Sequence, residues 1–224
     1  MSPETYFSEP MRREPVPGNK IRVLVVDDHP PMRIGLVALV RSQPGMEVVA
    51  EASDGEEAIE VYDDVLPDVV LMDLRMPGIG GVEAILAIRK KHPKARVIVV
   101  STYDLDEDIH RAMQSGAKSY LLKDMPIEEI ASTIRGVYEG DTPLPRSVAE
   151  RLMERAQRQQ LTERERDVLE ALTKGRSNKE IASSLGISED TVKSHLKTLF
   201  TKLRVRDRTC AALEAIRHGI IHLK

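Results

Sequence analysis

The stretch DVVLMDLRMPG, residues 68–78, decides how this 224-residue sequence is interpreted. Its apolar, β-branched run is typical of a strand buried on both faces, and it ends in Asp73 before Pro77 and Gly78 break the chain into a loop. A charge inside a buried strand costs free energy, so we expect Asp73 at the rim of a sheet, facing a partner. The identity of that partner determines the function.

Apolar runs alternate with helical patterns through the first 140 residues. The predicted strands are IRVLVVD (21–27), MEVVAEA (46–52), DVVLMD (68–73), ARVIVVS (95–101) and KSYLL (118–122). Between them, segments such as DGEEAIEVYDDV have apolar residues at helical spacing, and Ser53 with Glu56 predicts a capping box at one helix start. Parallel strands need helical crossovers, so the pattern predicts an α/β fold, a doubly wound parallel sheet with helices on both faces.

The pattern changes after Gly140. DTPLPRSVAERLMERAQRQQ opens with two prolines and continues as a charged helical stretch without a strong apolar face, which is typical of a linker. Helices are then predicted near residues 162–174, 178–185, 189–203 and 208–219. Capping-box spacing marks two of their starts, at Thr162 with Glu165 and at Ser177 with Glu180. The predicted organisation is a flexible tail at 1–19, an α/β domain at 20–140, a linker at 141–160 and an all-α four-helix domain at 161–224.

Composition narrows the class of protein. Hydrophobic residues at 41% and charged residues at 31% are typical of a soluble globular chain, and no apolar run approaches the roughly 20 residues that span a bilayer. The N-terminal segment lacks the apolar core of a signal peptide. The single Cys210 excludes an internal disulfide framework and a multi-cysteine zinc site. We therefore expect a cytoplasmic protein without a membrane partner.

Charge is divided unevenly along the chain. Residues 161–224 contain 13 Lys/Arg against 9 Asp/Glu, a net charge of +4, whereas residues 1–160 contain 20 against 27, a net charge of −7. The excess is concentrated within 191–208, in Lys193, Lys197, Lys202, Arg204, Arg206 and Arg208, opposed only by Asp207. The two parts of the chain are therefore expected to meet different partners.

Polar residues stand at the ends of the predicted strands, where ligands bind in doubly wound sheets. They are Asp27, Asp28, Asp73, Ser101 and Lys123. Taken singly, such an Asp is most often a turn or N-cap residue and such a Lys a solvated charge. Three carboxylates at one rim would repel one another unless a cation neutralised them, and an oxygen-only set suits Mg²⁺.

Residues 21–140 resemble the receiver domain of bacterial two-component response regulators, which has a flavodoxin-like (βα)5 fold. The acidic pair, the aspartate of LMDLRMPG, the Ser101 hydroxyl and the lysine of LLKD stand in the family's order. The resemblance implies that Asp73 is the phosphoacceptor, assisted by Ser101 and Lys123. It also implies a bound Mg²⁺, held by Asp27, Asp28, Asp73 and the backbone carbonyl of Arg75, with Asp27 acting through water.

Tyr120 lies at the position of the family's aromatic switch, which moves inward as the hydroxyl of Ser101 turns toward the phosphoryl group. A half-buried strand tyrosine without a switching role is the alternative. The chemistry agrees with the receiver assignment, because a carboxylate that attacks phosphorus needs positive charge around the phosphoryl oxygens. Mg²⁺ and Lys123 would supply that charge.

The segment NKEIASSLGISEDTVKSHLKTLFTKL has the pattern of a helix, a tight turn at Gly186 and an amphipathic helix. With its apolar stripe buried, the second helix presents Lys193, Ser194 and Lys197 on another face, which a helix-turn-helix places in the major groove. A solvated face on an ordinary helical hairpin is the alternative. Residues 161–219 resemble the four-helix effector domain of the LuxR/NarL family. That resemblance implies that these three residues approach bases and nearby phosphates, and that Ser188, Thr191 and Arg206 lie nearer the DNA backbone.

The last predicted helix, RTCAALEAIRHGII, has an apolar face that includes Ala212, Leu213 and Ile216. In the family this helix pairs across a two-fold axis, which implies a homodimer on inverted half-sites of promoter DNA. Packing in the core of the domain is the alternative role.

These observations predict a transcription regulator controlled by phosphorylation of Asp73, with a sensor histidine kinase as partner and RNA polymerase as a further candidate partner. It would not be an enzyme beyond its own phosphoryl transfer and dephosphorylation. One alternative is a constitutive DNA-binding regulator whose receiver is not phosphorylated. Another is an aspartyl-phosphate phosphotransferase, although Arg75 stands where such enzymes have a second Asp. A ligand-sensing LuxR protein would need an apolar pocket instead of carboxylates.

Overall fold

The computed structural model of the protein describes residues 20–102, 104–156 and 160–221. Five strands form one parallel sheet in the order β2-β1-β3-β4-β5: β1 (Ile21–Val26), β2 (Met46–Ala52), β3 (Val69–Met72), β4 (Val97–Ser101) and β5 (Ser119–Leu122). The helices between and after them are α1 (Pro30–Ser42), α2 (Gly55–Val65), α3 (Gly81–Lys91), α4 (Asp106–Gln114) and α5 (Ile127–Glu139). The predicted flavodoxin-like doubly wound fold is confirmed.

Each face of the sheet carries its own core. Along β1, Leu24 and Val26 point to one face and Val23 and Val25 to the other, and all four side chains are fully buried. This burial on both faces explains the continuous apolar runs in the sequence. It also leaves the ends of the strands as the place where polar side chains reach solvent.

The predicted capping box of Ser53 with Glu56 at the start of α2 is wrong by one residue. Asp54 is the N-cap, and its carboxylate accepts a hydrogen bond of 2.9 Å from the backbone N–H of Glu57. Glu57, in turn, accepts from the backbone N–H of Ser53 at 2.7 Å. Ser and Asp both cap helices well, so spacing alone did not distinguish the two registers.

The segment predicted as a linker without a strong apolar face contains helix α6 (Arg146–Ala156), which packs on α4. Val148 is fully buried, and Leu144 and Leu152 pack beside it against the receiver core. The hydroxyl of Ser119 donates to the carbonyl of Pro143 at 2.6 Å. Three apolar residues spaced by four therefore form the buried side of this segment, although charged residues surround them.

The remaining helices are α7 (Glu163–Thr173), α8 (Asn178–Leu185), α9 (Glu189–Leu203) and α10 (Arg208–Arg217), and the predicted all-α four-helix region is confirmed. Both capping boxes, at Thr162 with Glu165 and at Ser177 with Glu180, are present. These helices surround a core of their own. Across the described ranges, no helix combines the length and the apolar character needed to cross a bilayer.

Candidate functional site

The ends of β1 and β3 bring three carboxylates together. Asp27 and Asp28 follow β1, and Asp73 follows the neighbouring β3, so that one oxygen from each carboxylate lies within 4.8 Å of the others. Asp27 is fully buried and Asp73 is 6% exposed, whereas Asp28 is exposed to solvent. The structure thus places this predicted group in one cluster with a single open side.

Lys123, one residue beyond β5, reaches into this cluster. Its Nζ lies 2.6 Å from Oδ2 of Asp27 and 2.7 Å from Oδ2 of Asp73. Burial alone would favour the neutral amine, but hydrogen bonds with both aspartates raise the pKa of Lys123. The lysine therefore stays charged and bridges two buried carboxylates.

The loop after Asp73 is fixed by close backbone packing. The N–H of Asp73 donates to the carbonyl of Val26 at 2.9 Å, and the N–H of Leu74 donates to Oδ1 of Asp73 at 2.7 Å. A Cβ atom at Gly81 would collide with the carbonyl of Asp73, so only glycine allows α3 to start so close to the strand end. The carboxylate of Asp73 is thereby held in a defined direction.

The acidic cluster is chemically suited to a hard divalent cation. Its donors are carboxylate oxygens, which Mg²⁺ prefers, and the exposed Asp28 leaves room for the waters that Mg²⁺ retains. Burial raises the pKa of Asp73, and Lys123 offsets only part of that effect. A cation at this place would stabilise the ionised carboxylate of Asp73, so the residues of the cluster are suited to bind Mg²⁺.

Ser101 and Tyr120 are adjacent behind the cluster. Both are fully buried, on the neighbouring strands β4 and β5, and their side chains share a hydrogen bond. Burial raises the pKa of Tyr120 far above its ordinary value. The ring is fully buried and not half-buried, because it lies in the receiver core, in the same cluster as Val148 of α6. Its role as a switch stays a prediction.

Arg75 lies two residues after Asp73, and its side chain points away from the acidic cluster. Its guanidinium lies 3.1 Å from Oδ2 of Asp108, at the start of α4. This contact connects the loop after Asp73 to helix α4. The pattern of strand ends did not indicate it.

In the helical domain, α9 has one buried and one open face. Val192, Leu196 and Leu199 are buried in the core, whereas Lys193, Ser194 and Lys197 are exposed together on the other side. Their arrangement agrees with the recognition helix of a helix-turn-helix, which requires free polar side chains of this kind.

The other predicted DNA-contacting residues flank this exposed face. Ser188 is the N-cap of α9, and its hydroxyl lies 2.8 Å from that of Thr191. Arg206 is exposed in the turn that follows α9. Lys193 pairs with Asp190 at 2.9 Å, an exposed ion pair that a stronger anion can replace.

The last helix divides its apolar residues between two faces. Ala211 and Ala215 are fully buried in the domain core, and Ala212 packs partly against that core. Leu213 is 64% exposed, and Ile216 is partly buried. Of the three residues predicted for dimerisation, Leu213 is the most available to a second copy.

The sequence interpretation missed an acidic group at the start of α4. Asp106, Glu107 and Asp108 are buried, and their basic partners come from α6, α7, the residue after α10 and the loop after β3. Acidic residues in the first turn of a helix are common because they complement its dipole. The sequence of this run therefore did not indicate that its side chains are buried against basic residues. Their basic partners lie far away in sequence.

Comparison with known proteins agrees with this architecture. Residues 23–135 match the family model of the response regulator receiver domain, and residues 159–215 match that of the bacterial regulatory proteins of the luxR family. The transcriptional regulatory protein LiaR of Bacillus subtilis is 38% identical over 210 residues, covering 90% of this chain and all of LiaR. The response regulator protein VraR of Staphylococcus epidermidis is 38% identical over 206 residues, covering 90% of this chain and 99% of VraR.

Solved structures show the same similarity. The response regulator ChrA of a heme-sensing two-component system is 38% identical, with a TM-score of 0.56 over 91% of this chain and all of ChrA. RcsB from Salmonella enterica serovar Typhimurium, solved bound to a promoter, has a TM-score of 0.70 over 88% of this chain and 98% of RcsB; at 24% identity it supports the fold alone. The chain belongs to the NarL/LuxR family of two-component response regulators, which join a receiver domain to a LuxR-type DNA-binding domain.

Proposed function

We propose that this response regulator is switched by phosphorylation of Asp73 and acts as a dimer on promoter DNA. The observation that carries the proposal is the buried carboxylate of Asp73, held between Lys123 and two further aspartates at a strand end with one open side. No ordinary structural role requires three carboxylates and a lysine at one sheet rim.

The reaction is a displacement at phosphorus. An oxygen of Asp73 forms the new P–O bond, and the P–N bond to a histidine of the kinase, or the P–O bond of a small acyl phosphate, breaks with its electron pair staying on the leaving group. Asp27, Asp28, Asp73 and the backbone carbonyl of Arg75 would hold Mg²⁺, with Asp27 acting through water. A bound Mg²⁺ draws negative charge from the phosphoryl oxygens.

Two side chains complete the site. Lys123, charged and 2.7 Å from Asp73, is placed to pair with the phosphoryl group that the carboxylate receives. Ser101 can turn its hydroxyl toward the modified carboxylate and away from Tyr120, with which it now shares a hydrogen bond. The tyrosine would then repack, and this movement is the proposed switch.

The helical domain supplies the output. Lys193, Ser194 and Lys197 would meet bases and phosphates in the major groove, with Ser188, Thr191 and Arg206 nearer the backbone. Pairing through Ala212, Leu213 and Ile216 would fit two inverted half-sites. The partners are then a sensor histidine kinase, promoter DNA in the cytoplasm, a second copy and RNA polymerase, without enzymatic turnover of other substrates.

The proposed domain limits follow from these roles. A tail at 1–19, a receiver at 20–140, a linker at 141–160 and an effector domain at 161–224 separate the phosphorylation site from the DNA-binding surface. The tail lies outside the described residues.

The test combines mass measurement with DNA binding. The native chain and Asp73→Ala are incubated with acetyl phosphate and Mg²⁺, and binding to promoter fragments is compared with and without that treatment. Asp64→Ala, which removes an exposed carboxylate from α2, serves as control. We expect one phosphoryl adduct and tighter DNA binding in the native and control proteins, and neither change in Asp73→Ala.

Two outcomes contradict the proposal. Equal DNA binding under every condition, without an adduct, identifies a constitutive regulator. Continuous hydrolysis of an added phosphate ester identifies a phosphotransferase or phosphatase.

A further inference from the structure

The peptide bond between Asp27 and Asp28 joins two of the three carboxylates of the acidic cluster. It lies in the turn between β1 and α1, where His29 is the N-cap but makes no side-chain capping bond within the described part of the chain. Because a peptide unit is planar, the direction of its carbonyl group constrains the directions of the side chains on both sides of it. Whatever fixes this carbonyl therefore orients both aspartates.

The local backbone cannot satisfy the carbonyl of Asp27. In a helical turn it would accept from an N–H three or four residues further along the chain, but these positions are Pro30 and Pro31. Proline has no backbone N–H to donate. Asp27 is fully buried, so its carbonyl needs a donor from a side chain.

That donor is Arg33, one turn into α1. Its Nη1 donates a hydrogen bond of 2.6 Å to the carbonyl oxygen of Asp27, and its Nε lies 3.7 Å from the carboxylate of Glu51, near the end of β2. The side chain of Arg33 is 21% exposed, so most of it lies out of water. One guanidinium group thus connects α1 to the ends of two neighbouring strands.

The bond from Arg33 completes the set of partners of Asp27. The N–H of Asp27 donates to the carbonyl of Ala52 at 3.1 Å, and its Oδ1 accepts from the N–H of His29 at 2.9 Å. Its Oδ2 lies 2.6 Å from Nζ of Lys123. Without Arg33, the carbonyl would lose its donor in a buried place, and the turn would rotate toward a different one.

The charge and the hydrogen bond of Arg33 predict opposite effects on a bound cation. A guanidinium beside the acidic cluster repels a divalent cation, so its charge alone would weaken binding. Its hydrogen bond holds two carboxylates in place before the cation arrives, which would strengthen binding. The sign of the effect of removing Arg33 therefore distinguishes the two roles.

We infer that Arg33 is a positioning residue for Mg²⁺. It holds the peptide bond between Asp27 and Asp28 so that both carboxylates converge with Asp73, and this strengthens cation binding more than its own charge weakens it. The inference rests on the proposed function, in which these aspartates hold Mg²⁺. Arg33 acts through the backbone of Asp27, as residues behind the direct ligands do at other metal sites.

Arginine is suited to this role because its nitrogens are separate donors in a fixed plane. Nη1 serves the carbonyl of Asp27 while Nε faces Glu51. Lysine has the same charge but a single nitrogen on a flexible stem, so it cannot reproduce both contacts. Arg33→Lys therefore retains the charge and loses part of the positioning.

The experiment measures Mg²⁺ binding in the absence of any phosphoryl donor. The native full-length chain, Arg33→Met and Arg33→Lys are titrated with magnesium chloride by isothermal titration calorimetry, after circular dichroism has shown which variants are folded. Arg41→Met is the matched control, because Arg41 is an exposed arginine in the last turn of the same helix.

We expect the Kd for Mg²⁺ to rise by about tenfold in Arg33→Met, the lower end of the usual effect of residues behind metal ligands. It should rise by a smaller factor in Arg33→Lys and stay unchanged in Arg41→Met. Native or tighter binding by Arg33→Met would overturn the inference, because charge would then be the only effect of Arg33 on the ion. If Arg33→Met does not fold, Arg33→Lys decides: a weaker affinity supports the inference and a native Kd overturns it.

A second measurement separates this inference from the proposed phosphorylation of Asp73. With acetyl phosphate as donor, the Mg²⁺ concentration that gives half the maximal rate of adduct formation should rise in Arg33→Met by the same factor as the Kd. An unchanged concentration would contradict the role of Arg33. A native protein without an adduct would refute the function of Asp73 and leave the Mg²⁺ titration as the test of Arg33, whereas a native protein that binds no Mg²⁺ would refute both.

Discussion

Lys123 is the residue on which the acidic rim depends. It is the cation between Asp27 and Asp73, and the exposed fraction of all three side chains is below a tenth. In Lys123→Met the two carboxylates would repel each other in a buried place. We expect the free energy of unfolding, measured with urea in EDTA at neutral pH, to fall by about 3 kcal/mol.

A second effect of Lys123→Met distinguishes the role of the lysine in phosphorylation from its role in stability. The adduct with acetyl phosphate should form more slowly even at temperatures where the variant is fully folded. Lys118→Met, near the opposite end of β5, is the control and should alter neither quantity. Unchanged stability of Lys123→Met would mean that one aspartate is protonated in the native protein.

Lys197 provides a prediction on the DNA side. It is exposed on α9 beside Ser194, one turn from Lys193. Lys197→Ala should weaken DNA binding and, if the lysine neutralises a phosphate, reduce the slope of log K against log salt by about 1. Lys174→Ala, which removes a lysine that pairs with Glu170 at the end of α7, is the control. An unchanged slope with altered sequence preference would identify a base contact instead.

The positions of some site residues could be predicted from the sequence, and those of others could not. The grouping of Asp27, Asp28 and Asp73 was accessible because parallel strands end at one rim, and strand ends are visible in the sequence. The complete burial of Tyr120 was not accessible, because the core cluster around it includes Val148 of α6, 28 residues further along the chain. Neither was the contact between Arg75 and Asp108, which depends on side-chain direction.

At the scale of secondary-structure elements, the start of α3 determines the position of Asp73. Gly81→Ala would push a methyl group against the carbonyl of Asp73, so we expect a loss of about 2 kcal/mol in the free energy of unfolding. The rate of phosphorylation should also fall, because the carboxylate moves with its backbone. Gly35→Ala in α1, where no atom lies within 4 Å of the new methyl group, should be neutral or stabilising.

The start of α7 provides a pH-dependent prediction. Glu165 closes a capping box with Thr162 and lies 2.7 Å from Nζ of Lys202 in α9. Burial alone would raise the pKa of Glu165, but the bonds with Lys202 and Thr162 hold it below its ordinary value. Its contribution to stability is therefore present above the ordinary glutamate pKa and is lost as pH falls through the lowered pKa.

Glu165→Gln should accordingly cost about 2 kcal/mol at neutral pH. The difference from the native protein should shrink as pH falls through the lowered pKa of Glu165, below which the group is protonated in both folded and unfolded chains. Glu163→Gln, an exposed change in the same turn, is the control. A difference that persists undiminished at low pH would mean that shape, and not charge, determines the contribution of Glu165.

The first and last residues of helices could be predicted from local sequence signals, whereas the packing of α6 on the receiver could not. The predicted helices at 178–185 and 189–203 agree with α8 and α9 because Ser177, Gly186 and Ser188 are strong boundary signals. The last helix ends at Arg217, two residues before the predicted end. The packing of α6 was missed because Val148 gives little apolar periodicity until the receiver surface opposite it is known.

At the scale of the whole molecule, the cores are separate. The receiver has a core on each face of its sheet, the DNA-binding domain has a third, and ion pairs at α4 connect the domains. Mg²⁺ at a hundred times its dissociation constant should therefore stabilise the receiver by about 2.7 kcal/mol without adding contacts in the third core.

Differential scanning calorimetry with Mg²⁺ and with EDTA measures this effect. The receiver transition should rise in temperature, and the transition of the DNA-binding domain should move little. Asp28→Asn, which removes the exposed carboxylate of the cluster, should reduce the response. A common shift of both transitions would mean that the two domains unfold as one unit.

The docking of α6 has a consequence for every protein that meets the receiver. Only residues 140–145 connect α5 to α6, so the helix is a tethered ligand of α4, present there at about millimolar effective concentration. A partner protein at micromolar concentration that binds the same surface must displace α6, whose effective concentration is roughly a thousandfold higher. An outside partner can therefore bind α4 only by competing with α6. Any substitution of Val148 or Leu152 that weakens the packing of α6 should increase the binding of such a partner by the same factor.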